Sequence, residues 1–190
     1  MIFHFKKLSE KIKNNFFTSD NPFIVELGSN DGIFLKNFLN YKCNHLGVEP
    51  SKNVAEAALQ SNVNSIVEYF SSNLAKNIVN KYGKADVVTS ANVMCHIPNI
   101  NDVALGISEL LNENGVLIFE DPYLGAVIEK TSYDQIYDEH VFLFSIYSVE
   151  AIFSKFGLHL FDVEFLETHG GSMRYYLSKR KDIPTSKNLL

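Results

Sequence analysis

The sequence holds only two cysteines, Cys43 and Cys95, among 190 residues. They stand far apart and form no CxxC pair. This excludes a disulfide scaffold and a cysteine zinc site, and it fits a reducing cytoplasm. A basic surplus is missing too: 17 Lys and Arg stand against 22 Asp and Glu, a formal charge of −5. Domains that bind nucleic acid carry the opposite balance, so no nucleic acid is expected as partner. No apolar run approaches the roughly 18–20 residues needed to span a bilayer. Lys6 and Lys7 interrupt the first apolar stretch, and no small-residue cleavage site follows. Neither a membrane span nor a secretory leader is expected, and the expected location is cytoplasmic. Internal repeats and low-complexity tracts are also absent. What remains is a globular composition, 46% apolar and 21% charged. It is enough for one domain with a sizeable core and hardly for two.

The periodicity then gives an order of elements. Ile2, Phe5, Leu8, Ile12 and Phe16 recur at helical spacing, which predicts an amphipathic helix. Such a helix caps the domain or shields a cleft; spacing does not choose between them. The cluster Thr18-Ser-Asp-Asn-Pro22 breaks it. Short apolar strands are expected at 23–27, 45–49, 65–69, 85–89 and 115–120. Helices are expected between them at 31–40, 53–60, 74–82 and 103–111. This alternation indicates an α/β domain on a mostly parallel sheet. Residues 121–144 are polar, aromatic and weakly periodic, too long for a plain connection. A helix at 148–156 and a final pair of strands at 158–165 and 172–177 follow. The organisation expected is a helix over 1–20, one domain over 21–178 and a fraying tail over 179–190.

The most informative stretch is IVELGSNDG, residues 24–32. It joins a strand to the next element through a glycine turn. Gly28 permits a sharp turn, and Gly32 close approach of a ligand. The spacing is not GxGxxG, so the dinucleotide fingerprint is absent. Instead Glu26 sits inside the strand end. A buried acid there suits a cationic or hydrogen-bond-donating ligand better than a pyrophosphate. The next strand ends in Glu49, placed to accept both hydroxyls of a ribose. Two carboxylates around a glycine turn without a phosphate cradle fit S-adenosylmethionine.

VELGSNDG, GVEPS, GKADVVTSANVMCHIPN and LLNENGVLIFEDPYL, in this order, resemble the class I S-adenosylmethionine-dependent methyltransferases. The resemblance runs from Phe23 to about Leu177. It implies a Rossmann-like seven-stranded sheet, mostly parallel with an antiparallel final strand and helices on both faces. It also implies that Glu26, Gly28, Asn30 and Gly32 surround the methionine moiety and Glu49 the ribose. Ala91, Asn92 and Val93 would flank the sulfonium.

A second resemblance concerns the acceptor. YDQIYDEHVFLFS is similar to the YDQIYHEH-type signature of the sugar C-methyltransferases, which act on nucleotide-linked keto-deoxysugars. ANVMCHIPN and THGGSMRYY match further segments. The resemblance implies that His140 is the base removing a proton next to the sugar ketone, with Tyr137 and Glu139 orienting base or substrate. His96, Tyr123, His169, Gly170 and Arg174 are the candidate acceptor-side residues. No metal is expected, because neutral imidazole takes such a proton near pH 7.

Two departures shape the expectation. Asp138 stands where the signature has a histidine, a negative charge that would raise the pKa of His140. The cysteine-rich zinc domain and the C-terminal domain of that family have no counterpart here. The acceptor is thus expected to be a sugar or nucleotide sugar, a smaller molecule or a glycan, bound alone or with a partner chain or second copy. Methylation of an oxygen or nitrogen, and a non-catalytic methyltransferase-fold binding protein, are the competing readings.

Overall fold

The computed structural model describes residues 1–17 and 19–189. Thr18 of the breaker cluster and Leu190 of the tail lie outside them. Seven strands form one sheet: β1 (Phe23–Leu27), β2 (Asn44–Val48), β3 (Ser65–Ile66), β4 (Ala85–Ala91), β5 (Leu111–Pro122), β6 (His159–Leu166) and β7 (Ser172–Ser178). Their order is β3-β2-β1-β4-β5-β7-β6. The pairs from β3 to β5 are parallel. β7 runs antiparallel to both β5 and β6, so it alone is reversed.

Strand alternation sends side chains to two cores. Ile24, Val87, Ile118 and Tyr176 meet Phe5, Leu8 and Ile12 of helix α1 (Ile2–Asn15) on one face. Ala58 of α2 (Lys52–Gln60) joins them. On the other face Val25, Val88, Leu117 and Tyr175 meet α3 (Ser72–Tyr82), α4 (Ile100–Leu110) and α6 (Ile146–Phe153) through Leu74, Ile78, Val103, Ile107 and Phe153. Local chemistry sets the helix starts. The Ser71, Asn99 and Ser145 side chains each accept a backbone N–H from the first turn that follows, satisfying donors the helix itself leaves free. Asp102 takes both the N–H and the hydroxyl of Ser72 and so ties α3 to α4.

Three expectations need correction. Residues 31–40 are not an α-helix; turns lead into a single 3₁₀ segment, Leu35–Phe38. Asn30 and Asp31 explain this, since their side chains accept the N–H groups of Asp31 and Ile33 and so compete with helix bonding. The third strand is paired over only two residues, at the sheet edge. The tail, expected to fray, lies along β6. There Ser186 donates its N–H to Phe161 (2.8 Å), and Asn188 donates to the carbonyl of Val163 (3.2 Å).

A buried ionic cluster joins α1 to β5, β6 and β7. The Arg174 guanidinium donates to Glu120 (2.6 Å) and to Glu164. Glu164 also accepts from Lys11 of α1 and from the Tyr176 hydroxyl. His4 of α1 meets Glu120 at 2.6 Å. Arg174 and Glu120 are both buried, so these two charges depend on their partners rather than on water.

Candidate active site

The parallel strands β1, β2 and β4 end at one edge of the sheet, around a cavity of about 630 Å³. Its wall includes Glu26, Gly28, Asn30, Glu49, Ala91, Asn92 and Val93. Seven of the eight residues expected around a cofactor are therefore brought together. Gly32 is the exception. A Cβ there would sit 2.9 Å from Val63, so its glycine serves the packing of the loop on Val63 and not the cavity wall.

Gly28 is demanded by both torsion and space. Its φ is +69°, and a Cβ would stand 2.3 Å from a Val93 methyl. Its N–H is held by the Val48 carbonyl at 2.8 Å. Asn30 and Asn92 also take left-handed φ, +51° and +55°, a conformation that asparagine tolerates better than most residues. Glu49 is fixed by two backbone donors, Asn30 N–H (3.0 Å) and Ser51 N–H (2.8 Å). Glu26 is buried, and its Oε2 has no partner among the described residues. Burial, then the nearby Asp31 and Glu49, hold its carboxyl well above the usual range. A buried acceptor of this kind is what a cationic ligand would satisfy.

Helix α1 closes one side. Met1 and Phe5 line the cavity, and the His4–Glu120 contact pins the same turn. The helix is therefore both a cap on the core and a shield for the cleft.

Beyond β4 a 3₁₀ turn, Met94–His96, faces the long segment after β5. That segment is ordered, with α5 (Leu124–Lys130) and a short 3₁₀ turn inside it. His140 Nδ1 lies 2.8 Å from the Gln135 carbonyl. A carbonyl only accepts, so Nδ1 carries the hydrogen and Nε2 carries the lone pair. The Tyr137 hydroxyl meets Nε2 at 3.0 Å. His96 is built the same way, with Nδ1 2.7 Å from the Glu139 carbonyl. The two imidazole centroids are 5.0 Å apart.

Other expected residues are placed differently. Glu139 touches this cluster through its backbone carbonyl, while its side chain is exposed. Asp138 is exposed as well. His169 takes φ +51° and reaches Asn92 at 3.3 Å, which brings the turn before β7 to the cavity rim. The Gly170 carbonyl accepts from Lys130 (2.6 Å). Tyr123 opens α5 and bonds through its N–H to Gly171 (3.1 Å). Arg174, expected on the acceptor side, is a correction. Its donors are spent on Glu120 and Glu164 under α1, because on β7 it shares a face with Tyr176 and not with Tyr175.

Sequence reasoning missed Asp121 and Cys95. Asp121 is fully buried, accepts the Cys95 N–H (3.4 Å) and leaves Oδ2 without a partner among the described residues. Burial, moderated by the bonds from Cys95, pushes its pKa up to about 7. The only signal was an acid at the end of an otherwise apolar strand.

Comparison with known proteins matches this architecture. A family model described as a methyltransferase domain fits residues 3–163. C-methyltransferase NovU of Streptomyces niveus is 32% identical over 173 residues, which are 91% of this chain and 41% of that protein. The chain thus spans well under half the length of that relative. Among solved structures, magnesium protoporphyrin IX methyltransferase of Synechocystis PCC 6803, with bound SAH, superposes with a TM-score of 0.70 at 13% identity, covering 93% of this chain and 82% of that one. The YcgJ protein of a Bacillus species superposes with a TM-score of 0.71 at 14% identity, covering 94% and 99%. The chain belongs to the methyltransferase-domain family. No helix among the described residues is long and apolar enough to cross a membrane.

Proposed function

We propose that this methyltransferase methylates a carbon next to the ketone of a sugar-derived acceptor, with His140 as the base. The observation that carries this reading is the tautomer of His140, fixed by Gln135 so that Nε2 offers a lone pair beside the Tyr137 hydroxyl. The similarity to a C-methyltransferase supports it.

S-adenosylmethionine supplies an electrophilic methyl on a sulfonium. Glu26 would hold its ammonium group, and Glu49 would accept the ribose hydroxyls. The Gly28 and Asn30 backbone would border the methionine moiety, and Ala91, Asn92 and Val93 would flank the sulfur. The orphan oxygen of Glu26 fits this cargo. A hydrogen next to a ketone is only weakly acidic. Its removal needs a positioned base and a donor for the developing enolate oxygen. His140 Nε2 accepts the proton. Tyr137 then turns its hydroxyl from Nε2 to the ketone oxygen. The carbon so activated would take the cofactor's methyl group as the sulfur–methyl bond breaks, and the neutral thioether would leave. His96, Tyr123, His169 and Gly170 shape the acceptor side.

The test is exchange of the α-hydrogen of a trial keto sugar in deuterated water, followed by carbon-13 NMR of the product. Enzyme-dependent exchange and a methyl resonance on carbon are expected. An O–CH₃ resonance without exchange would overturn the reading in favour of oxygen methylation.

Two results are expected at the cofactor side. Glu49→Ala should weaken cofactor binding about 10- to 100-fold by calorimetry, the scale of hydrogen bonds to a charged group. An unchanged dissociation constant removes Glu49 from the site. Cofactor affinity should also depend on pH through Glu26. Its carboxyl is raised in the free protein, and a cation beside it favours the ionised form. Binding therefore expels a proton while Glu26 is protonated. Affinity rises with pH and levels off once the free carboxyl is ionised. Glu26→Gln should flatten the profile, and a flat profile in the unaltered protein would contradict the contact.

A further inference from the structure

The 3₁₀ turn after β4 puts Cys95 beside His96, and the long segment brings His140 over both. One donor atom from each of these three residues lies within 4.8 Å of the other two. The imidazoles are prepared alike. Each spends its Nδ1–H on a backbone carbonyl, Glu139 for His96 and Gln135 for His140. Each therefore holds its lone pair on Nε2. This is the anchoring found behind metal-bound histidines, where the second ring nitrogen is fixed by a carbonyl or carboxylate. A thiol and two such imidazoles make a donor set for zinc-like cations and a poor one for magnesium or calcium.

We propose that Cys95, His96 and His140 form a binding site for a zinc-like divalent cation, and that its occupation silences the base. The silencing, though not the site, rests on the role of His140 proposed above. Three protein donors leave a fourth position for water. Bonds of about 2.0–2.3 Å set donors roughly 3.5 Å apart in a tetrahedron, so the cluster contracts by no more than about 1.3 Å. His140 makes that movement, since it sits on the long connection between α5 and α6 rather than on the sheet. Ligation needs no change of oxidation state. The Cys95 sulfur–hydrogen bond breaks, its proton passes to the Asp121 carboxylate bonded to it, and the sulfur–metal bond forms. A lone pair donated to a metal is no longer free to take a proton from carbon.

The full chain carrying Cys43→Ser, which removes the other thiol, is titrated with cobalt(II) as the spectroscopic probe. A thiolate-to-cobalt absorption band saturating at one equivalent and displaced by zinc is expected. Cys95→Ser should abolish the band, and His96→Asn should weaken cobalt binding at least tenfold. Cofactor affinity in each variant, read by calorimetry, certifies that it is folded. No band, or a band that survives Cys95→Ser, overturns the site. Zinc should also suppress methyl transfer, and a chelator should restore it. If the Cys95-dependent band forms while the zinc-saturated protein keeps full turnover, the site stands and it is His140 as base that fails.

Discussion

His140→Ala is expected to lower turnover about 100- to 10,000-fold, the usual contribution of a positioned general base. Cofactor binding should stay within a factor of two or so, for a structural reason. His140 lies on the segment after α5, and it is absent from the wall of the cavity that ends β1, β2 and β4. Steady-state rates paired with calorimetry read the two effects separately. Tyr137→Phe should lie between the variant and the unaltered enzyme, because the lone pair survives while the donor for the enolate oxygen is lost. Normal turnover in His140→Ala would sink the assignment. A parallel loss of cofactor affinity would show instead that the segment supports the cavity.

Arg174→Ala is expected to cost about 3–5 kcal/mol of stability, the range for removing one partner of a buried ion pair. Arg174 is 7% exposed and Glu120 is 3% exposed, so neither charge can turn to water. The variant leaves Glu120 with only His4, and Glu164 with Lys11 and Tyr176. Urea unfolding measures the loss as a lower midpoint at constant slope. Removing the charges together, as Arg174→Met with Glu120→Gln and Glu164→Gln, should cost less than the single change, since neither glutamate is left charged without Arg174. A loss below about 1 kcal/mol in Arg174→Ala would mean that water reaches the cluster.

The fold was legible wherever the physics is local. Five apolar strands with helices between them are a matter of period, and Val25, Leu27, Val88 and Leu117 obey it. The Glu26–Gly28 turn was readable because torsion and charge both leave a mark in sequence. Residues 31–40 misled because apolar spacing there is real but Asn30 and Asp31 capture the backbone first. Arg174 misled for a different reason. Its motif sits beside the glycine turn, yet the side of a strand that a residue faces is fixed by register with β5 and β6, which only the folded sheet reveals. Asp121 and Cys95 were invisible for another reason. Their partnership joins a strand end to a turn, and no spacing rule connects them.

The single reversal at β7 has a mechanical consequence. Because β6 runs with the parallel strands, the link from Leu166 to Ser172 begins and ends at the same sheet edge as Gly28 and Asn92. Both its ends are hydrogen-bonded strands, and it spans only a few residues. The segment from Tyr123 to Ser145 is several times longer and carries only α5 and a short 3₁₀ turn. That end of the sheet is therefore framed unequally, by a short link tied at both ends to strands and by a long segment tied to the sheet only at its ends.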